Sequence, residues 1–230
     1  GDKPNELHLA VKAENSKKIT ELLKANPGLA RESSSSQELI PGESFGIYPA
    51  DIAIEQDNPE IFSLIWEHGG KINARSAALS EWKTDRLKTL IERVPKRGNE
   101  LMMVLIEHGK TEEVKQLFSK ADFDVNKKVS GDYPLHVAVE NGNEDMVRYL
   151  VQKGADPDLQ DSLYGHTALH IAADNHAEPA VFRSLIDAGA QINPKDEDGK
   201  TPLDYVSTTS GSKNSKAVEK MLLDAGAVRT

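Results

Sequence analysis

Apolar residues recur along this chain in short runs that repeat at a fixed interval. Leu135, Leu169 and Leu203 are 34 residues apart, and each lies in a run of small and branched apolar residues. A Gly-Ala pair follows the first two leucines after about 20 residues, at 154–155 and 189–190. Self-similarity at such a period predicts a repeat protein, in which each unit is one supersecondary element.

Within a unit, the apolar positions predict two short helices joined by a tight turn. Pro134 falls where the first helix starts, since proline has no N–H to lose at that position. Val147 and Leu150 share one face of the second helix, and Gly154 follows it as a left-handed cap. Ala138 is small where the two helices approach closely. A single helix pair leaves apolar faces uncovered, so we expect the units to stack.

The same pattern indicates six units over nearly the whole chain. The best match runs Tyr133-Pro134-Leu135-His136, with Gly142 and then Gly154-Ala155-Asp156 after it. These motifs resemble the ankyrin-repeat family, whose units open on Thr-Pro-Leu-His and close on Gly-Ala-Asp. The resemblance implies an all-α fold, an ankyrin-repeat solenoid of stacked helix-turn-helix units with β-hairpin-like connecting loops. The six units lie near residues 5–31, 46–75, 99–127, 131–161, 165–196 and 198–228.

Two segments depart from the repeat and divide the chain. Residues 31–45 predict a Ser-rich loop within a first part, residues 1–75, which holds repeats one and two. Residues 76–98 are too long for a hairpin, and apolar side chains at helical spacing predict one inserted amphipathic helix there. Residues 99–230 then hold repeats three to six, and the last repeat serves as a C-terminal cap.

Charge narrows the choice of partner. The chain carries 28 basic and 37 acidic residues, a net charge of −9. This disfavours nucleic acid, because phosphate binding needs basic side chains. Residues 131–198 hold 13 acids and 4 bases, whereas residues 83–97 hold 6 bases and 2 acids. No run of 18 apolar residues exists, so no membrane span is expected.

Motifs for catalysis or metal binding are absent from the sequence. It has no cysteine, no Gly-x-Ser-x-Gly elbow and no glycine-rich phosphate loop. His8, His136 and His170 hold the fourth position of the helix-start motif, where we expect hydrogen bonds to turn backbone. His166, His170 and His176 lack the spacing of metal ligands on one helix face. We therefore expect no enzyme activity, no cofactor, no metal and no small-molecule substrate.

The family resemblance implies a protein-binding face made of hairpin tips and first helices. In this chain the row along that face is acidic. Leu163 and Tyr164 fall at the tip of a longer hairpin, where they either anchor a partner or fold back onto repeat five. The predicted partner-binding residues are Glu107, His108, Asp132, Glu140, Asn141, Leu163, Tyr164, His166, Asp174, Asn175, Glu197 and Asp198.

These features predict a non-enzymatic interaction scaffold that binds another protein with a basic surface through its concave acidic face. A second interpretation is that the charged row only keeps the protein soluble. A further hypothesis makes the chain the substrate-targeting or regulatory part of a larger enzyme, and a secreted bacterial effector fits either function. The expected location is the cytoplasm, or the host cytosol for a secreted effector.

Overall fold

The computed structural model describes residues 4–34, 46–72, 98–120, 123–208 and 214–230. Across these ranges the chain forms 12 α-helices and one 3-10 helix, and no extended strand. Contacts divide the chain into two compact units, Gly1–Gly98 with Ser119–Ala121 and Asn99–Phe118 with Asp122–Thr230. The predicted inserted helix at 76–98, apart from Gly98, and positions 35–45 of the predicted Ser-rich loop lie outside the described residues.

The first unit consists of two helix pairs. Its elements are α1 (Glu6–Lys12), α2 (Ser16–Ala25), a 3-10 helix (Pro27–Arg31), α3 (Pro49–Glu55) and α4 (Pro59–Glu67). Asn5, Asn15 and Asn58 begin three of the helices, and each side chain accepts a hydrogen bond from a backbone N–H of the first turn. Helix α1 packs on α3 and α2 packs on α4. Trp66 is buried and stacks on Phe62, with ring centroids 5.5 Å apart.

The second unit consists of four helix pairs. Its helices are α5 (Gly98–Glu107), α6 (Thr111–Lys120), α7 (Pro134–Glu140), α8 (Glu144–Gln152), α9 (Ala168–Asp174), α10 (Pro179–Asp187), α11 (Pro202–Thr208) and α12 (Ser215–Asp224). The first helices α7, α9 and α11 form one layer, and the second helices α8, α10 and α12 form another. Helices α7 to α12 therefore contact the other helix of their own pair and a helix of a neighbouring pair, as the repeat predicts.

The connection before α7 is a hairpin-like loop. Val129 and Asp132 exchange two backbone hydrogen bonds of 2.9 and 3.0 Å. Ser130 and Gly131 between them both have positive φ, 55° and 106°. Two residues of positive φ make the tight turn whose twist suits a hairpin. Loops of this kind place their own residues beside the first helices, and the candidate site is formed there by loop and helix residues together.

The turn between the two helices of a unit places one residue in the left-handed region. Gly142 holds this position after α7, with φ of 62°. Glu14, Asp57 and His176 hold it in other units, with φ of 52°, 58° and 54°. A side chain in this conformation costs about 1–2 kcal/mol compared with the right-handed form. The geometry of the repeat therefore overrides the preference of these three residues for a negative φ.

The first prediction concerns the packing between helix pairs. Leu150 of α8 and Leu185 of α10 are fully buried, with 0% exposure. Leu150→Ala and Leu185→Ala should each lower the free energy of unfolding by about 2–5 kcal/mol, because each leaves a cavity. Urea denaturation followed by circular dichroism measures the loss. An unchanged midpoint for either variant would contradict the packing between α8 and α10.

The second prediction concerns the left-handed turn. His176→Gly should raise the free energy of unfolding by about 0.5–1 kcal/mol, because glycine adopts this φ without a steric cost. The matched control is Gly142→Ala, whose added Cβ would meet no atom within 4 Å. Since only φ is strained there, the control should lose about 1 kcal/mol. Equal stability of both variants and the parent would show that the turn conformation carries no cost.

Candidate partner-binding site

The loop between α8 and α9 is held by a single carboxylate. Asp161 Oδ1 accepts hydrogen bonds from the backbone N–H groups of Leu163, Tyr164 and Gly165, at 2.9, 2.7 and 3.1 Å. Burial raises the pKa of Asp161, but these donors more than offset that effect and leave the pKa below its ordinary value. The carboxylate stays charged and fixes the loop at physiological pH.

A second contact ties this loop to the following hairpin. The backbone N–H of Glu197 donates to the Tyr164 carbonyl at 2.9 Å. Gly165, next in the chain, has φ of 70°, and a Cβ there would lie 3.2 Å from Glu197. Both the conformation and the close approach require glycine at this position. The loop is thus supported by its own side chain and by the next repeat.

The loop presents two large apolar side chains to solvent. Leu163 is 75% exposed and Tyr164 is 62% exposed. Of the two alternatives for these residues, the structure shows the exposed one, since most of each side chain remains accessible to solvent. The Tyr164 ring leans on His166, with centroids 5.3 Å apart and planes inclined by 34°. Large exposed apolar groups at a fixed loop are typical of an interface.

A polar and aromatic cluster supports Tyr164 from below. His166 Nε2 lies 3.0 Å from the Tyr205 hydroxyl and 3.5 Å from Asp196 Oδ2. The Tyr205 hydroxyl donates to Asp196 at 2.6 Å, and both burial and this carboxylate raise the pKa of Tyr205. On its other side, His166 stacks on His170 with centroids 5.4 Å apart. His166 therefore lies beneath the exposed tyrosine, as part of its support.

A groove of about 590 Å³ lies beside the exposed loop. It is bounded by the loop before α7, by the loop before α9, and by the ends of α7 and α9. Within the described part of the chain, its lining includes four carboxylates and neither lysine nor arginine. The carboxylates are Asp132, Glu140, Asp161 and Asp174, and the apolar lining is Leu163, Tyr164 and Ile171.

The carboxylates of this groove repel one another. Partial desolvation raises the pKa of Glu140, and the negative charges of Asp132 and Asp161 raise it further. The pKa of Glu107, at the end of α5, is also raised. Desolvation is the main cause, the negative charge of Asp132 adds to it, and His108 acts in the opposite direction. A cation in the groove would relieve this repulsion. The electrostatic field therefore favours a positively charged ligand.

Seven of the twelve predicted site residues line one groove. They are Asp132, Glu140, Leu163, Tyr164, His166, Asp174 and Asn175. The other five lie nearby or serve the fold: Glu107 is exposed beyond the groove, and Glu197 and Asp198 are exposed on the next hairpin. Asn141 donates to the carbonyls of Ile106 and Glu107. His108 is half-buried, and its Nδ1 lies 2.8 Å from the Val104 carbonyl one turn earlier in α5.

Sequence reasoning missed the residues that support the site. Asp161, Asp196 and Tyr205 were not among the predicted partner-binding residues, although they hold the tip and His166 in place. A signal for the two aspartates was present, since each is followed within four residues by glycine in a loop. Aspartate side chains commonly bond backbone N–H groups in such turns. No sequence signal paired Tyr205 with a histidine 39 positions earlier.

The helix-start histidines are structural, as predicted. His8, His136 and His170 are buried, and each Nε2 lies within 3.1 Å of a carbonyl in the next connection. Thr167 N–H donates to His170 Nδ1, which fixes the neutral tautomer with the proton on Nε2. Burial lowers the pKa of His170, the Lys200 carbonyl partly raises it, and His166 lowers it again. These rings join successive repeats.

In the described ranges, no three histidine, aspartate or glutamate side chains are grouped so that they would hold a metal ion. Over the same ranges, none of the helices combines the length and the apolar character that crossing a membrane requires.

Stacked helix pairs, hairpin-like loops and buried helix-start histidines define a class of helical repeat protein. The family model for ankyrin repeats, which describes three copies, matches residues 76–161 and 156–228. The two matches together span more than half of the chain. This chain belongs to the ankyrin-repeat family. Ankyrin repeats generally mediate interactions between proteins.

Two curated relatives are similar to part of this chain. Ankyrin repeat and SOCS box protein 6 from Homo sapiens is 29% identical over 126 residues, 54% of this chain and 27% of that protein. Diacylglycerol kinase iota from Mus musculus is 44% identical over 70 residues, 30% of this chain and 7% of that protein. This chain therefore spans about a quarter or less of the length of these relatives.

A solved structure shows the same fold. The ankyrin repeat domain of Bcl-3, a member of the IkappaB protein family, superposes with a TM-score of 0.53 and 21% sequence identity. The superposition covers 99% of this chain and 88% of the other. At this identity the similarity concerns the fold alone.

The third prediction concerns pH. Because the pKa of His170 is lowered in the folded state, there is a pH range in which His170 is protonated in the unfolded chain and neutral in the folded chain. Stability is therefore complete above about pH 6.5 and falls as the pH drops below it, by at most about 1.4 kcal/mol per pH unit for this group. The difference in unfolding free energy between pH 7.5 and pH 6.0 should be smaller in His170→Gln than in the parent. Urea denaturation at both values measures it.

The comparison isolates one group. His8 and His136 remain in both proteins and contribute equally. Glu107 and Glu140, whose pKa values are raised, act with opposite sign and nearer to pH 4.5. A pH dependence in His170→Gln identical to that of the parent would show that His170 does not resist protonation on folding.

Proposed function

We propose that this chain is a non-enzymatic interaction module that grips a basic segment of a partner protein in the groove of repeats four and five. One observation carries the proposal: the exposed pair Leu163 and Tyr164 borders a groove lined by four carboxylates. An apolar anchor beside charges of one sign suits a ligand that is apolar in one part and basic in another.

The alternative that the acidic row only confers solubility explains the observations less well. Charges that serve solubility are best spread apart in water, whereas desolvation and neighbouring carboxylates raise the pKa of Glu140. An exposed leucine does not increase solubility, yet Leu163 is 75% exposed. Repulsion between the carboxylates is the feature that a basic partner would remove.

The binding face of the proposal extends beyond the groove. Glu107 lies on one side, and its pKa responds to Asp132 of the groove. Glu197 and Asp198 lie on the hairpin before α11, on the other side. Hairpin tips and first helices of repeats three to six thereby form an acidic row, and the partner would lie along it.

A second candidate function is that of the targeting or regulatory part of a larger enzyme. The size of one relative favours this function, because the region similar to this chain makes up only 7% of diacylglycerol kinase iota, which is a kinase by its name. In that case the same groove would bind a substrate protein or a domain of the enzyme itself. A cytoplasmic location belongs to both candidate functions.

The fourth prediction tests the acidic row by charge reversal. Glu107, Glu140 and Asp174 are changed together to lysine, and the matched control changes Glu113, Asp145 and Asp187 on the second helices. Each reversal adds two charges, so both triple variants have a formal net charge of −3 in place of −9. Proteins captured from a lysate by the parent, the variant and the control are compared by quantitative mass spectrometry.

We expect partners with basic segments that the parent and the control capture and the groove variant does not. With a captured partner, the groove variant should associate more slowly, because electrostatic attraction acts over about 8 Å at physiological salt. Added salt should lower the association rate of the parent more than it raises the dissociation rate. Equal capture by all three proteins would exclude the acidic row as the binding surface.

A further inference from the structure

We propose that the loop at Leu163 and Tyr164 selects arginine over lysine, by stacking a guanidinium group of the partner on the exposed tyrosine ring. The inference rests on the proposed function, since it assumes a basic partner in the groove. It adds the side chain that the partner inserts and the residue that recognises it.

The first support is the environment of the Tyr164 ring. The His166 ring lies against the Tyr164 ring at a centroid distance of 5.3 Å with the planes inclined by 34°, and 62% of Tyr164 remains exposed. An aromatic ring that is supported by a neighbouring ring and is largely exposed offers a platform for a partner group. Planar groups stack on such a platform, and guanidinium does so both as a cation and as a planar π system.

The second support is that the platform is already rigid. The loop backbone is fixed by Asp161 and by the hydrogen bond from Glu197. Beneath it, His166 is fixed by the Tyr205 hydroxyl at 3.0 Å and by stacking on His170. Little conformational freedom of the loop remains to be lost on binding. An anchor of this kind stabilises a complex more than a mobile side chain of equal size.

The third support is the chemistry around the platform. Glu140 and Asp174 line the same groove as Tyr164, so that a stacked cation would lie among carboxylates. These carboxylates attract either cation, so the distinction between arginine and lysine rests on the ring, because lysine is a compact and strongly hydrated point charge that does not stack. Leu163 is 75% exposed next to the tyrosine, and it would contact an apolar neighbour of the arginine. The occupant is therefore a peptide segment with an arginine beside an aliphatic residue.

Lys128, a basic residue of the neighbouring hairpin, does not occupy the Tyr164 ring. Lys128 bonds the Ser162 hydroxyl, and its ammonium lies over the Tyr133 ring at 4.7 Å. It is thus engaged on the neighbouring hairpin. Nucleic acid is disfavoured as the occupant, because its phosphates would meet Asp132 and Glu140.

The fifth prediction uses peptides as probes. Three capped nine-residue peptides differ only at the centre, which is arginine, lysine or the neutral isostere citrulline, flanked by leucine within Gly-Ser ends. Each is titrated into the full chain labelled with ¹⁵N, and amide shifts give the site and the dissociation constant. The arginine peptide should bind about fivefold more tightly than the lysine peptide, and the citrulline peptide should bind more weakly than either. The shifts should centre on Leu163, Tyr164 and Gly165.

Two variants separate stacking from bulk. Tyr164→Phe keeps the aromatic platform and should preserve the ratio between the arginine and lysine peptides. Tyr164→Leu keeps apolar volume without the ring, and its ratio should fall to about one. Glu140→Gln should weaken both basic peptides alike and leave the ratio unchanged.

The outcomes distinguish this inference from the proposed function. Equal binding of the arginine and lysine peptides at the groove, or an unchanged ratio in Tyr164→Leu, overturns the arginine platform and leaves the basic-partner groove intact. Amide shifts confined to another part of the chain overturn the platform as well. Absence of any shift with both basic peptides, at concentrations up to several millimolar, counts against the proposed function and the inference together.

Discussion

Burial of two apolar faces by each helix pair is the constraint on which the structure depends. A pair of helices seven to ten residues long cannot cover both faces by itself, so the neighbouring pair must do so. Leu150 and Leu185 show the result, since each is fully removed from water in the layer of second helices. Buried histidines add directional bonds to this packing, because each reaches a carbonyl of the following connection.

Stacking also explains why the connections are well ordered where the candidate site lies. A loop that projects from a packed repeat rests on the next repeat, as the bond between Glu197 and Tyr164 illustrates. Local side chains then complete the loop, and Asp161 alone binds three consecutive backbone N–H groups. Exposed apolar side chains can be held in place on such a support, which a free loop could not do.

The electrostatics of the groove differ from those of the fold. Asp161 and Asp196 have lowered pKa values because hydrogen bonds to backbone or hydroxyl groups outweigh the effect of burial. Glu107 and Glu140 have raised pKa values because desolvation and like charges are not compensated. Carboxylates that stabilise the loops are thus satisfied within the chain, whereas those at the ends of first helices are not. The first group therefore stabilises the loops, and the contrast supports the proposal that the second group meets a basic partner.

The sequence by itself determined the repeat, the helix pairs and the buried positions. Leucines 34 residues apart, prolines at helix starts and glycines after second helices are local signals, and each has one dominant conformational meaning. The acidic row and the position of Leu163 and Tyr164 at a hairpin tip were also predicted from residue type and register.

Only the tertiary structure decided how these residues meet. Whether Leu163 and Tyr164 folded back or stayed exposed depended on Asp161 and Glu197, which act through backbone bonds that no sequence periodicity encodes. The contact of His166 with Tyr205 joins residues 39 positions apart, in consecutive repeats. His108 is half-buried, with its Nδ1 2.8 Å from the Val104 carbonyl. The first two outcomes depend on distances between consecutive repeats, which the stacking sets, and the third depends on a carbonyl one turn earlier in α5.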